Sequence, residues 1–397
     1  MAITKSYAEI KASVYLSVCD RLLKYSATDD EQVLKTVREC IIADKDSSNL
    51  TPRQRGQMSH ELFNRIRRLD VLQDLLDDDS VTEIMVNGVD EIFAEREGRI
   101  AGCGIRFESK ERLLDIISKI ASGVNRTINL SSPILDARLP DGSRVNAVLD
   151  PVAINGPILT IRRFPKRPID PEMLIRSNSI TDEALDCLKS LVRAKYNILV
   201  SGSTGSGKTT LLNVLSGFIP SDERIITIED SAELRIRGIR NLVRLETRSA
   251  TANGSGEISI RDLIRSALRM RPDRIIVGEV RGEEAIDMLQ AFNVGQDGSL
   301  STIHANSAQD ALSRLETMIM LSTQIPIEAL RRQIISGVDI IVHLGRFRDG
   351  SRHVLEIKEM VKTGSDKIET RPLFEYRKGK LVGINELTYT GKLERQA

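Results

Sequence analysis

The sequence predicts an α/β protein in which a mostly parallel sheet fills the second half, preceded by a smaller α+β domain and a helical segment. Three observations predict it. Strand and helix signals alternate from residue 181 onward, at the spacing of βαβ units. The run Gly202-Ser-Thr-Gly-Ser-Gly-Lys-Thr209 stands between an apolar stretch and a helical one. Between Val81 and Arg162, short β-rich runs are punctuated by turn pairs. At 397 residues the chain exceeds one average core, and ~150 residues per domain suggests two domains and an appendage.

Residues 1–76 read as helical. Tyr7, Ile10, Val14, Val18 and Leu22 recur at intervals of three or four, and Val33, Val37 and Ile41 repeat the pattern. Thr51-Pro52-Arg53-Gln54 is a helix start, with a threonine cap, proline at the first position and glutamine where a capping box needs it. The third helix is expected to run to about Leu76. The apolar faces need a partner, which could be this chain, another subunit or a different protein.

Residues 77–163 read as the α+β domain. Val81–Val86 and Glu91–Glu95 are strands closed by Asn87-Gly88 and Glu97-Gly98, and 110–120 is a helix. Asp136–Leu139, the turn Pro140-Asp141-Gly142 and Arg144–Val148 form a hairpin, followed by a strand at Ile158–Arg162. Phe164-Pro-Lys-Arg-Pro168 resists both helix and sheet, so 164–170 is a linker.

Residues 171–397 carry the alternation: helix 181–194, strand 197–200, the glycine-rich loop, helix 208–216, strand 224–228, helix 260–270 and strand 274–277. A hairpin follows at Asp339–Leu344 and Val354–Val361 around Asp349-Gly350, with strands near Phe374 and Leu381. The last ten residues read as loose.

Composition narrows the function. Apolar residues are 41% and charged residues 28%, the balance of a globular protein. Lys plus Arg total 57 against 56 acids, which gives no general pull toward nucleic acid or an anionic membrane. Aromatics are 4% with no Trp, leaving few stacking platforms for single strands. No apolar run approaches the ~20 residues of a bilayer span, so a cytoplasmic protein is expected. Cys19, Cys40, Cys103 and Cys187 stand singly, without zinc or disulfide spacing, and read as reduced thiols.

The chemistry begins at Gly202, Ser203, Thr204, Gly205, Ser206, Gly207, Lys208, Thr209 and Thr210. Glycines let backbone amides crowd phosphate oxygens, Lys208 meets the β- and γ-phosphates, and Thr209 offers a hydroxyl to Mg²⁺. The required strand and helix flank it, against the alternative of an accidental glycine-rich turn. Hydrolysis needs a carboxylate as well. Arg274-Ile-Ile-Val-Gly-Glu279 is an apolar strand ending in an acid, which puts Glu279 beside the metal. Ile228-Glu-Asp-Ser-Ala-Glu233 ends another strand with three acids. Each alone could be a capping or solvated acid; at the carboxyl ends of parallel strands, with the loop, they read as functional. His304 ends a glycine-rich run entering a strand, whereas His60, His343 and His353 read as structural. Arginines are dense at 235–248, and Arg138 and Arg144 stand in the earlier domain. Most such runs are solvated faces, yet arginines supplied across an interface stabilise phosphoryl transfer.

At these residues the chain resembles the secretion ATPases of type II and type IV secretion and type IV pili. Four boxes appear in order: GSTGSGKTT, the aspartate box ITIEDSAEL, the Walker B box RPDRIIVGEVRG and the histidine box GQDGSLSTIHAN. VTEIMVNGVDEIFAE, ARLPDGSRVNAV and NLVRLETR look most like the tight-adherence pilus ATPases of CpaF or TadA type. The resemblance implies a RecA-like ATPase domain joined to an N-terminal α+β, PAS-like domain, in a homohexameric ring with ATP and Mg²⁺ between domains. It implies Glu233 as catalytic carboxylate, Glu279 as Walker B acid near the metal, His304 as phosphate sensor, and Arg138, Arg144, Arg244 and Arg248 as arginines reaching the nucleotide. It also implies a motor at the cytoplasmic face of the inner membrane, working on a membrane platform protein and through it on pilin. Gln296 stands where many members carry histidine, and the four-cysteine zinc subdomain of several type II and pilus-extension ATPases is absent. The competing expectations are a type IV secretion or conjugation ATPase moving protein or DNA, a RecA-like nucleic-acid motor, and a nucleotide-gated scaffold without turnover. The lack of an [NT]KxD motif after the loop argues against a small GTPase.

Overall fold

The computed structural model describes residues 5–24, 29–96, 98–139, 141–163, 170–248, 256–362 and 367–395. The chain divides into two compact units, Met1–Lys166 and Arg167–Ala397. Most of the expected linker, 164–169, lies outside the described residues.

In the first unit, α1 (Tyr7–Leu22), α2 (Asp30–Ala43) and α3 (Pro52–Arg67) pack on one another. Ile10, Val14, Val18, Val33, Val37, Met58 and Leu62 form their shared core, so these apolar faces are partnered within this chain. Thr51 and Gln54 close the capping box that starts α3. The third helix does not reach Leu76. Arg68 leaves helical geometry, Asp70 takes a φ of 54°, and a one-turn 3-10 segment leads into the short α4 (Gln73–Asp77). The apolar periodicity continued past the break because Leu72 and Leu75 are buried in a different core, that of the following domain.

That domain is a six-stranded antiparallel sheet of β1 (Val81–Asn87), β2 (Glu91–Arg96), β3 (Arg99–Gly102), β4 (Ile134–Arg138), β5 (Arg144–Val148) and β6 (Ile158–Arg162). The strand order is β3-β2-β1-β6-β5-β4. One face carries α5 (Lys110–Gly123), whose Leu113, Ile116, Ile117 and Ile120 join Ile84, Val86, Leu159 and Ile161 in the core. All four residues of β3 are exposed, so no alternation marked it in the sequence.

The second unit begins with α6 (Pro171–Arg176), capped by Asp170, and α7 (Asp182–Arg193). Then follow β7 (Ile198–Gly202), α8 (Lys208–Ser216), β8 (Arg224–Glu229), β9 (Asn241–Glu246), α9 (Ile260–Ala267), β10 (Arg274–Val280), α10 (Glu284–Asn293) and β11 (Leu300–His304). The chain continues through α11 (Ala308–Ser322), α12 (Ile327–Gly337), β12 (Ile340–Arg346), β13 (Arg352–Met360), β14 (Thr370–Arg377), β15 (Lys380–Gly383) and α13 (Gly391–Glu394). The nine strands lie in the order β15-β14-β13-β12-β7-β11-β10-β8-β9. From β12 to β9 every neighbour is parallel, and β13 to β15 extend the sheet antiparallel. β7 is buried at every residue, as a strand covered on both faces must be, which is why its sequence is continuously apolar up to its last two residues.

The C-terminal tail is not loose. Thr388 N and Tyr389 N donate to the buried Glu359 carboxylate at 2.9 and 2.7 Å. Lys392 Nζ lies 2.8 Å from both Asp297 and Asp339. These polar bonds, with Leu393 packed against the core of this unit, hold the segment, and two isolated leucines make no periodicity to announce it.

Candidate nucleotide site

The glycine-rich loop runs from the end of β7 into α8. A Cβ on Gly202 would lie 2.5 Å from Ser206 Oγ and 2.6 Å from the Leu344 carbonyl oxygen, so only glycine fits. Gly207 takes a φ of 96° as it turns the chain into α8, whose first residue is Lys208. Backbone amides of such a loop and of a helix start are groups suited to an anion. Ser203 and Thr204 are exposed at its tip, Ser206 is buried, and Thr209 and Thr210 open the helix half-buried. The tip is held from outside: Arg352 Nε, at the start of β13, donates to the Gly205 carbonyl at 2.9 Å.

Lys208 is 7% exposed. Its Nζ donates to the Ser203 carbonyl at 3.0 Å and lies 3.3 Å from Nδ1 of His304. The other ring nitrogen of His304, Nε2, is 2.8 Å from Oε1 of Glu279. A lysine donates, so Nδ1 accepts and the ring is neutral, with Nε2 close beside the Glu279 carboxylate. Burial and then the Lys208 charge hold the His304 pKa below its ordinary value, against the opposing pull of Glu279. A register shift in β10 aims Glu279. Residues 276 and 277 pair with 300 and 301, but Val280 pairs with Ile303, leaving Gly278 and Glu279 opposite Thr302 alone. Thr302 Oγ1 fastens that bulge by donating to the Gly278 carbonyl at 2.7 Å.

Glu233 lies half-buried in the turn after β8, the strand next to β10. The turn is fastened on several sides. Arg244 Nη2, on β9, donates to the Leu234 carbonyl at 3.0 Å, and Arg235 N donates to Asn213 of α8 at 2.7 Å. Arg281 joins the turn to the bulge, 3.1 Å from Asp230 and 3.3 Å from Glu279. Glu229, which sequence reasoning passed over in favour of Glu233, is 2% exposed, and its Oε2 accepts the amides of Glu233 and Leu234 at 2.7 and 2.8 Å. Burial raises its pKa to about 7, opposed by those two amides and by Arg244. Glu229 stands as one of three acids that follow an apolar strand, and nothing in the spacing marks it as the buried one, which is why it was missed.

The structure therefore brings Lys208, His304 and Glu279 into contact, with Glu233 in the adjoining turn, all at the carboxyl ends of parallel strands. Arg248 Nε donates to the Gly256 carbonyl at 2.6 Å, beyond the end of β9. Arg138 and Arg144 belong to the first unit. They pair across β4 and β5, and Arg144 pairs in turn with Arg162 of β6, so three arginines stand in one row across three strands. Arg162 was not singled out in the sequence; only the register reveals it. His343 lies 2.9 Å from the Ser201 hydroxyl, and His353 contacts the Asn178 carbonyl and Ser351. Gln296 accepts from Ser299 Oγ through its carbonyl at 2.7 Å. The four cysteines are free.

Beside the loop is a cavity of about 310 Å³, lined among others by Met173 and Leu174 of α6, Thr210, Leu344 and Arg352. Its lining is largely apolar, and it meets the glycine-rich loop at Ser206 and Gly207. No described helix is long and apolar enough to cross a membrane.

A family model described as type II/IV secretion system protein matches residues 67–370. A putative conjugal transfer protein of Mycobacterium tuberculosis is 36% identical over 293 residues, covering 72% of this chain and 83% of its own. The type IV secretion system protein PtlH of Bordetella pertussis is 39% identical over 307 residues, covering 70% and 89%. Among solved structures, the Legionella pneumophila ATPase DotB shares the fold with a TM-score of 0.53 at 23% identity, covering 72% of this chain and 79% of that one. The pilus retraction motor PilT with bound ADP gives a TM-score of 0.53 at 19% identity, covering 83% and 86%.

Proposed function

The chain belongs to the type II/IV secretion system protein family; from that premise we propose that it is an ATPase, the motor of a tight-adherence (Flp/Tad) type pilus. The observation that carries the hydrolytic part is the contact chain Lys208–His304–Glu279 behind the phosphate loop. ATP enters with its phosphates on the loop amides and Lys208, and its nucleoside in the cavity bordered by Met173 and Thr210. Mg²⁺ suits this donor set, since it takes one or two protein oxygens and completes its shell with phosphate and water. Thr209 and Glu279 would hold it, and it would neutralise charge developing on the transferred phosphoryl group.

Within that frame, Glu233 orients and deprotonates the attacking water. His304 reads the γ-phosphate because it shares Lys208 with it: a phosphate that engages Nζ alters the contact to Nδ1, and the ring passes the change to Glu279. Arg138, Arg144 and Arg162, with Arg244 and Arg248, supply the cationic side of the site in an assembled homohexamer. Domain closure on ATP then drives a platform protein at the cytoplasmic face of the inner membrane, and pilin through it.

The segments VTEIMVNGVDEIFAE, ARLPDGSRVNAV and NLVRLETR support the pilus reading. The second reading, a type IV secretion or conjugation ATPase, is favoured by the 36% and 39% identity to a conjugal transfer protein and to PtlH. Deleting the gene separates them. Loss of pili with conjugation and effector delivery intact supports the first, and the reverse supports the second. The near-balanced charge speaks against a nucleic-acid motor, and no stimulation of hydrolysis by DNA or RNA is expected.

A further inference from the structure

We infer that Glu229 is a positioning residue for catalysis: its buried carboxylate forms an internal anion that holds the turn presenting Glu233. The inference rests on the ATPase reading above and adds a residue to it.

The geometry is specific. Glu229 is the last residue of β8 and is 2% exposed. A carboxylate in such a place is costly unless its charge is met by hydrogen bonds. One oxygen, Oε2, meets two consecutive amides, those of Glu233 and Leu234, at 2.7 and 2.8 Å. Two successive N–H groups converging on one oxygen form an anion-binding nest, here filled by the protein's own side chain. The other oxygen, Oε1, is buried with no hydrogen-bond partner among the described residues. A group kept only for stability would not carry that uncompensated atom, since an apolar residue of similar size avoids it.

The surroundings are shaped to the carboxylate. A Cβ on Gly278 of β10 would lie 3.0 Å from Glu229 Cγ, so the neighbouring strand presents bare backbone there. Arg244, from β9, faces the same turn and donates to the Leu234 carbonyl. Of the charged groups around Glu229, Arg244 on β9 favours the ionised form and Glu233 in the turn opposes it, while Glu246 of β9 stands opposite Glu229 in the register. With the carboxylate ionised, the amide of Glu233 is fixed and its side chain is carried on a rigid turn. With it protonated, the charge-assisted bonds weaken and the turn loosens.

The pH profile supplies the readout. The Glu229 pKa of about 7 places this change in the working range, so turnover rises with pH through about 7 as the carboxylate ionises.

The experiment uses the full-length protein and compares wild type, E229Q and E229A in steady-state ATPase assays from pH 5.5 to 8.5, with ADP affinity measured alongside. E229Q keeps an oxygen for both amides but has no charge to titrate. Expected for E229Q is a kcat within about five-fold of wild type at pH 8 and loss of the inflection near 7. Expected for E229A is a kcat reduced about 100-fold with KM and ADP affinity within about three-fold, a split that general misfolding does not give. An E229Q profile that keeps the inflection, or an E229A protein with wild-type kcat, overturns the inference. If E229A fails to bind ADP, the E229Q profile alone decides. A wild-type protein without turnover defeats the ATPase reading instead, so the two failures are distinct.

Discussion

His304 Nε2 lies 2.8 Å from Glu279 Oε1, and through this contact Glu279 is tied to Lys208 of the glycine-rich loop. The pairing gives each partner a separable role. His304→Ala is expected to lower kcat by about 100-fold while ADP affinity stays within about three-fold, because the ring touches Lys208 without being its only partner. Glu279→Gln is expected to weaken the Mg²⁺ dependence as well, read as a rise in the metal concentration needed for half-maximal rate. Since the His304 pKa lies below its ordinary value, the ring gains a proton only in more acid solution than a free histidine does. By linkage, the neutral ring's contribution to stability is present above about 6.5 and is lost as pH falls through the lowered folded-state value.

The Arg352 brace on the phosphate loop predicts an affinity effect. Its bond to the Gly205 carbonyl fixes the loop tip from the β12–β13 hairpin. Arg352→Ala is expected to weaken ADP binding about ten-fold, the size of ~1.4 kcal/mol, with Arg352→Lys intermediate. Titration calorimetry checks it. Equal binding by wild type and the alanine variant would mean that the loop needs no outside support.

At the start of β10, Arg274 is fully buried and meets Glu223 through two bonds of 2.6 and 2.8 Å. Gly298 makes room for it: a Cβ there would lie 2.5 Å from Arg274 Nη1, and its φ is 82°. Gly298→Ala displaces the guanidinium from a buried ion pair and is expected to cost about 3 kcal/mol. Denaturant unfolding measures it. A loss below about 1 kcal/mol would contradict the packing described.

The tail predicts a second stability effect. Truncation before Thr388 strips Glu359 of its backbone donors and Asp339 of Lys392. Two buried carboxylates lose partners, so a loss of about 3 kcal/mol is expected, and the melting temperature reports it.

Much of this was legible in the sequence. Gly202 to Thr209 declares itself because phosphate binding demands glycines at fixed spacing, and the apolar runs of β7, β8 and β10 mark strands covered on both faces. Other parts depended on contacts between distant residues. Leu72 and Leu75 extended a helical pattern whose backbone had already turned, because one periodicity served two cores. The bulge at Gly278 and Glu279 is a matter of register, and so is the row Arg138–Arg144–Arg162. Glu229 looked like one acid of three, and only its burial distinguishes it from Asp230 and Glu233. The tail from Thr388 to Glu394 is held by polar bonds and one packed leucine to residues far away in sequence, which leave no local trace.

The most direct test is Mg²⁺-dependent ATP hydrolysis by the assembled protein, measured together with nucleotide binding for wild type, Lys208→Ala and Glu233→Gln. The account predicts turnover by wild type, loss of both binding and turnover in Lys208→Ala, and in Glu233→Gln near wild-type binding with a rate reduced about 100-fold or more. A Glu233→Gln variant that hydrolyses ATP at the wild-type rate, or an assembled wild type with no Mg²⁺-dependent turnover, would contradict it.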